Sequence, residues 1–320
     1  MMERIKSLKR NVVIVGELNV DLIISGEEIK PELNREKIVD GFDMVLGSSS
    51  AITACALAAL GVHVIFVGVV GDDYFGEFCI DKLNNKGVDT TYIQKLSTCK
   101  TGVTLSFSTS KDRALLTYMG AIPGMLPEKL PAQLLKEADH IHFGSFYLQK
   151  GMQTYWQQLF ADAQNAGVST SFDTGWDPEE DWKVDLIGRL LKYTDLFIPS
   201  EDEFRNIFGG VSDQNIFEKL PMERKEIAVK CGDKGAILFL RNKVIREDGY
   251  SVHPIDTTGA GDSFNAGLIF AYLAGKRGTE LLNFANACGA LATLRVGGAE
   301  DVPDLEEVYS FMERNKPLLQ

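Results

Sequence analysis

Hydrophobic and polar positions along the 320-residue chain follow two alternating rhythms. Asn11–Gly16, Val62–Val70, Ala138–Gly144, Val168–Asp173, Asp195–Ile198 and Ile227–Cys231 are short, nearly continuous apolar runs rich in β-branched residues. Between them lie stretches with helical spacing. These are Ser49–Leu60, closed by Gly61, Tyr74–Asn85, ending at Gly87, and Gln153–Asn165, Asp181–Lys192 and Asp202–Phe208. Strand–helix alternation with apolar strands predicts a mostly parallel central sheet covered by helices on both faces, a three-layer α/β sandwich. Leu22–Leu46 and Tyr92–Met119 break the rhythm with alternating stretches joined by polar turns, and predict antiparallel strands that leave the main sheet as a flap over its edge. No linker, low-complexity run or internal repeat marks a second folding unit, so the pattern predicts one domain over residues 11–313, with lid segments at about 20–46 and 98–120.

Composition narrows the function. The hydrophobic share of 45% and the charged share of 24% allow a large core and exclude a disordered chain. A formal net charge of −12 repels phosphate backbones, which argues against nucleic acid as the main partner. Five widely spaced cysteines with no Cys-x-x-Cys pair fit neither a disulfide framework nor a zinc site, and predict a reduced, cytoplasmic protein. The start, Met1 to Arg10, is basic, but the apolar run Val12–Val15 stops too soon for a signal-peptide core. The longest apolar stretch, Val62–Val70, contains His63 and Gly68 and falls far short of the roughly 20 residues of a membrane span, so no membrane partner is expected.

In an open parallel sheet, ligands bind beyond the carboxyl ends of the strands. Among the loops that follow the strands, Asp256-Thr257-Thr258-Gly259-Ala260-Gly261-Asp262-Ser263-Phe264 carries the most chemistry, because it runs into the Ala-rich helical stretch Asn265–Ala274. Small residues let the backbone approach a ligand, and first-turn N–H groups beside the positive end of the helix dipole attract an anion. An Asp in that turn can take the proton of an attacking hydroxyl while the amides hold a phosphoryl group. The competing reading is a tight glycine turn with an Asp helix cap.

These residues resemble a known family. Asp256–Asp262, continued by Phe264, Asn265 and Gly267, is similar to the C-terminal motif of the ribokinase-like (PfkB) carbohydrate kinases. Gly47–Ala51 through Leu60-Gly61, followed by Val67–Gly76, is similar to the N-terminal motif, and the likeness spans about 13–303. The resemblance implies a ribokinase-like fold with a small β-sheet lid and transfer of the γ-phosphoryl group of ATP to a primary hydroxyl of a small sugar. It implies Asp262 as general base and the amides of Gly259, Ala260 and Gly261 as the anion hole. Asp21 and Asn19, with Gly47 and Ser48, would bind the sugar. Lys230, Gly232 and Gly235 would wall the nucleotide, with Asn286 beside the adenine. Glu203 and Ser200 would hold magnesium through water, and Asp256, Thr258, Ala292, Arg295 and Gly297 correspond to a loop pair that binds a monovalent cation, K+, in some members. The stretch Arg113–Ala121 resembles fructokinase-like members, which puts fructose first. Ribose, 2-keto-3-deoxygluconate and a nucleoside are the alternatives, a nucleoside needing Phe42 and Tyr118 as an aromatic pocket. A sugar sensor without catalysis on the same scaffold is the rival from another class. The lid edges also suggest a homodimer that pairs two lids.

Three positions depart from the family pattern. Ser200 stands in Ser200-Glu201-Asp202-Glu203 where Asn is usual, and a capping box between Ser200 and Glu203 accounts for the same pair. Ser48 replaces the second glycine of the usual pair, and Ile52 replaces an Asn expected near the sugar. His140 and His142 share a strand face but lack a third ligand, and read as ordinary sheet histidines. Trp156, Trp176 and Trp182 read as packing residues. The absence of a Gly-x-x-x-x-Gly-Lys-Ser/Thr loop excludes a P-loop ATPase.

Overall fold

The computed structural model describes residues 9–27, 29–109, 113–212 and 215–315. Most of the basic start, residues 1–8, and parts of both lid segments, Glu28 and 110–112, therefore lie outside the described residues. The chain runs β1 (Asn11–Val15), β2 (Asn19–Ser25), β3 (Gly41–Leu46), α1 (Ser49–Ala59), β4 (His63–Gly71), α2 (Tyr74–Asn85), β5 (Asp89–Leu96), β6 (Gly102–Ser108) and β7 (Arg113–Tyr118). It continues through α3 (Leu134–Glu137), β8 (His140–Phe143), α4 (Trp156–Asn165), β9 (Ser169–Phe172), α5 (Val184–Leu191), β10 (Leu196–Phe197), α6 (Glu201–Phe208) and α7 (Ile216–Lys219). The last part is β11 (Glu226–Lys230), β12 (Ala236–Phe239), β13 (Val244–Glu247), α8 (Ala260–Leu273), α9 (Thr279–Ala292) and α10 (Leu305–Arg314).

Nine strands form one sheet in the order β13-β12-β11-β10-β9-β8-β1-β4-β5, parallel except for the hairpin pairs β11/β12 and β12/β13. The apolar strands feed two cores, one on each face. Val12, Ile14, Val64 and Phe66 pack with residues of α1, α2, α8, α9 and α10. Their neighbours Val13, Val15, Ile65 and Val67 turn the other way, to α4, α5, α6 and α7, where Phe143 stacks on Trp156 at a ring separation of 3.8 Å. Near-continuous apolar runs were required because both faces are dry. β1 is the topological switch: β4 adds on one side and β8 on the other, both parallel to it, so the loops after β1 and β8 diverge and open a cleft.

A second sheet of four strands, β3-β2-β6-β7, stands apart as the lid. It differs from expectation in two ways. β2 and β6 pair in parallel, since α1, β4, α2 and β5 intervene and return the chain in the same direction, which a hairpin cannot do. Tyr92–Leu96 also belongs to β5 in the main sheet; as an edge strand it is half exposed, and so shows the same alternation as the lid. The helix expected over Asp181–Lys192 begins only at Val184, because Trp182 and Lys183 adopt positive φ angles of 55° and 40°. Among the described residues no helix is long and apolar enough to cross a membrane.

Candidate active site

The glycine turn ahead of α8 is shaped by sterics. Gly259 adopts φ 74°, a conformation that L side chains rarely take, and a Cβ there would lie 2.6 Å from the Cα of Gly298. No side chain caps the helix, so its first turn stays open. The N–H of Ala260 turns back to the Thr257 carbonyl over a long 3.3 Å, while those of Gly261 and Asp262 occupy first-turn positions without an intrahelical acceptor. Ile52 packs under this turn, with Cγ2 3.1 Å from where a Cβ of Gly259 would be. It supports the glycine loop, whereas an Asn there had been expected to contact the sugar.

Asp262 lies in the first turn of α8 and keeps a solvent-facing edge. Its Oδ1 accepts a 2.5 Å hydrogen bond from Ser49 Oγ, at the start of α1. Burial pushes its carboxyl up to about 7, against the pull of the Ser49 bond and of Lys230. Lys230, at the end of β11, is ion-paired with Asp173 and donates to Asn265 Oδ1 at 3.2 Å, and Asn265 Nδ2 in turn donates to Asp173 Oδ2 at 2.8 Å. Burial opposes both charges, but the two stabilise each other: Asp173 is held below the usual carboxylate range and Lys230 above the usual amine range.

Beside this cluster opens a cavity of about 480 Å³, lined among others by Lys230, Gly232, Gly235, Ala260, Gly261 and Asn286. All four residues expected at the nucleotide line it. The Lys230–Gly235 turn joins the antiparallel strands β11 and β12 as a hairpin, with Gly235 at φ 87°. Asn286 Nδ2 donates to the carbonyls of Glu247 and Asp248, at 3.3 and 3.2 Å, and so fixes the loop that closes the far wall.

On the lid side, Asn19 Nδ2 donates to Asp21 Oδ1 at 2.7 Å and to Thr104 Oγ1 at 3.2 Å. Asp21 lies opposite Thr104, and Thr104 opposite Thr117, so one sheet face carries this polar row. Phe42 pairs with Ile24 and Tyr118 with Val103, which puts both aromatics on the other face. A Cβ on Gly47 would fall 2.1 Å from Asp21 Oδ1. Gly47 is two residues from Ser49, a span of at most about 7 Å, so the Asp21 pocket and Asp262 lie at the two ends of one three-residue segment.

The middle residue, Ser48, adopts φ 74°, the left-handed geometry in which glycine is usual. Its hydroxyl compensates by accepting from Ala51 N at 3.0 Å as the cap of α1 and donating to the Glu17 carbonyl at 2.6 Å. Glu17, 3% exposed, was missed by sequence reasoning, as were Ser49, Asp173 and Asn265. Glu17 and Asp173 directly follow or end the runs read as β1 and β9, so the rule of post-strand loops was the available signal.

Ser200 and Glu203 form the capping box of α6. Glu203 Oε2 accepts from Ser200 N at 2.8 Å and from Thr174 Oγ1 at 3.2 Å, and Oε1 takes no hydrogen bond from the described residues. Burial, then the neighbouring Asp173, raise its carboxyl above the usual range. A water held by a divalent cation would supply Oε1 with a donor and favour the ionised form, so Glu203 fits magnesium bound through water. Asp256 joins the two loops read as a cation site, accepting from Thr258 N at 2.9 Å and Gly297 N at 3.0 Å. The Arg295 guanidinium pairs with Asp301 and Glu307, and Ala292 ends α9 beside it. His140 and His142 bond Ser169 and Ser171 within the sheet, and no group of three metal-ligating side chains occurs among the described residues. Trp156 and Trp182 are buried, but Trp176 is 53% exposed and packs only edge-on against Trp182.

This geometry has relatives. The profile of the pfkB family of carbohydrate kinases matches residues 9–305. The ATP-dependent ribose-1-phosphate kinase of Halopiger xanaduensis is 28% identical over 94% of this chain and 97% of its own length. Fructokinase-1 of Zea mays is 27% identical over 95% of this chain and 98% of its own. A crystal structure of a ribokinase II from E. coli in complex with ATP and Mg2+ superposes with a TM-score of 0.81 at 27% identity, covering 95% of this chain and 99% of that one. With two sheets, a glycine turn, and a match along nearly its whole length, the chain belongs to the pfkB family of carbohydrate kinases, phosphotransferases that act on an alcohol group.

Proposed function

We propose that this protein transfers the γ-phosphoryl group of ATP to a primary hydroxyl of a small sugar, fructose first, with Asp262 as general base. The observation that carries the reading is the placement of a carboxylate tuned to about 7 at the start of an open helix turn, between the cavity of Lys230 and the pocket of Asp21. A carboxyl of that strength is ionised in half its copies near neutral pH and still basic enough to take a hydroxyl proton in flight. The first-turn amides of α8, from Gly259 to Gly261, would hold the transferred group, and Lys230 would meet the phosphates on the cavity side. Asp21 and Asn19 would accept and donate hydrogen bonds to sugar hydroxyls, and Gly47 leaves the space they need. Magnesium bound with ATP would supply positive charge against the phosphates. Glu203, with Ser200 behind it, would hold its water shell.

The polar row of Asn19, Asp21, Thr104 and Thr117 supports a hydroxyl-rich acceptor, and the turning away of Phe42 and Tyr118 favours a sugar over a nucleoside. Ribose and 2-keto-3-deoxygluconate stay in the panel, since fructose rests on lid resemblance and on fructokinase relatives. The loops of Asp256, Thr258, Ala292, Arg295 and Gly297 would take K+ on backbone carbonyls. We place the protein in the cytoplasm, in keeping with its five unpaired cysteines. We also propose a homodimer of lid on lid, because the lid ends in the edge strands β3 and β7 and one of its faces carries the exposed Phe42, Leu116 and Tyr118; a monomeric mass by light scattering refutes this.

The test of the main reading is a coupled assay of ADP release over pentoses, hexoses, sugar acids and nucleosides. Fructose should give the highest kcat/KM and depend on Mg2+. A pure sugar sensor would bind without releasing ADP, and a best substrate lacking a primary hydroxyl would overturn the reading.

A further inference from the structure

The start of α1 carries three consecutive hydroxyls, and two of them are tied to one buried carboxylate. Ser48 Oγ donates to the Glu17 carbonyl at 2.6 Å and lies 3.1 Å from its Oε1, and Ser50 Oγ donates to Oε2 at 2.5 Å. Ser50 N at 3.2 Å and Ser145 Oγ at 2.9 Å complete the shell on Oε1. The segment is also wedged from both sides, for a Cβ on Gly16 would lie 2.2 Å from Ser50 Cβ, and one on Gly144 would lie 2.9 Å from Ser50 Oγ. The remaining hydroxyl, Ser49 Oγ, has no bond to Glu17 and sits 2.5 Å from Asp262 Oδ1. A hydroxyl that donates to the base is what the acceptor substrate must become.

We propose that Ser49 is a positioning residue that stands in for the acceptor: its hydroxyl, fixed by Glu17 through Ser48 and Ser50, occupies Asp262 Oδ1 until a sugar hydroxyl displaces it. The inference rests on the reading of Asp262 as base. With Ser49 in place, Oδ1 is satisfied and no water needs to sit there, so this oxygen activates no water against a bound ATP before sugar arrives. The same bond orients the carboxylate toward α1. Removing the hydroxyl opens room for one water beside the base, at a site rich enough in polar groups to order it.

The experiment compares wild type, Ser49→Ala and Ser49→Thr. ADP release is measured without sugar and with saturating sugar, and the acid limb of kcat/KM for the sugar is recorded. Ser49→Ala should raise the ratio of sugar-free to sugar-dependent ADP release about tenfold, the scale of one hydrogen bond to a charged group. It should also move the acid limb to higher pH, since the lost donor favoured the ionised carboxylate. Ser49→Thr, which keeps the hydroxyl, should return both readouts toward wild type; a merely structural serine moves neither. The carboxyl infrared band that disappears in Asp262→Asn gives a second readout independent of turnover, and its titration midpoint should rise in Ser49→Ala. A folded Ala variant with a wild-type ratio and midpoint, or a Thr variant no better than Ala, overturns the inference. Failure of the base reading shows separately, as sugar phosphorylation that survives Asp262→Asn.

Discussion

Asp262→Asn changes one atom and separates catalysis from folding. The amide keeps an oxygen to accept from Ser49, so the start of α8 and its contact with α1 remain. On the proposed role the variant loses its base, and kcat should fall by about 10²–10⁴, the usual contribution of a general base. Stability should move the other way, and the sign follows from the raised carboxyl. Unfolded, the group ionises near 3.8, whereas burial delays ionisation in the fold to about 7. Between those pH values the folded protein holds a proton that the unfolded chain has released, so wild type loses stability relative to the Asn variant as pH rises, at about 1.4 kcal/mol per pH unit. The loss levels off above 7. Three units set a ceiling of about 4 kcal/mol, and the solvent-facing edge of Asp262 lowers it to roughly 2–4 kcal/mol. Urea unfolding of both proteins at pH 4 and pH 8.5 measures the difference, and the variant should gain on wild type by that amount. The acid limb of the wild-type kcat/KM profile, which reports the free enzyme, should fall near the same pH. A stability gap that is constant with pH, or a limb near 4, would refute the claim that burial tunes this carboxylate.

Other substitutions probe the parts around it. Gly47→Ala puts a methyl group against Asp21 Oδ1 at a backbone without a positive φ, so KM for the sugar should rise at least about tenfold while KM for ATP stays; an unchanged sugar KM separates Asp21 from the pocket. Lys230→Met strands the buried Asp173 and should destabilise the protein by about 3–5 kcal/mol, an effect that Asp173→Asn in the same chain relieves; additive losses in chemical denaturation would show that the two do not act as a pair. Ser48→Ala keeps the left-handed backbone and loses the cap, whereas Ser48→Gly also loses the cap but relaxes the backbone, so Gly should be the more stable by about 1–2 kcal/mol in thermal melts, and the reverse order would deny the strain.

The large sheet was legible because its parallel strands other than the edge strand β5 are dry on both faces, and helices such as α1 and α2 end at a glycine stop; α2 runs over Tyr74–Asn85 as its spacing and Gly87 predict. The lid was legible as a departure from that rhythm but not as a topology. Alternation reports that one face is wet, and the edge strand β5 of the main sheet shares this with the lid, so Tyr92–Leu96, just ahead of the lid segment, breaks the rhythm as the lid does. The glycine turn declared itself since its backbone geometry requires glycine at Gly259. What stayed hidden is the set of polar groups that meet only in three dimensions. Glu17 and Asp173 read as ordinary acidic residues beside strands, and the side chains that hold them are 31 to 128 and 57 to 92 positions away. Ser49, 213 positions from Asp262, reads as an unremarked member of a serine run.

The two carboxylates that flank α8 owe their opposite behaviour to the distribution of a single cation. Lys230 stands against Asp173, with Asn265 bridging both, so Asp173 stays ionised and the pair together adds little net charge to the cavity. Asp262 feels Lys230 only as a weaker influence and is left to titrate near 7. Had Lys230 paired with Asp262, that carboxylate would have been held ionised at a low pKa and would have been too weak a base to draw a proton from a sugar hydroxyl. Had Asp173 been absent, an unpaired buried lysine would have lost its proton more readily, and with it its hold on phosphate. On the proposed mechanism, separating the partner of the lysine from the base lets one site keep both a cation for the nucleotide and a carboxylate that is free to work, in a protein whose net charge of −12 offers ATP no attraction from afar.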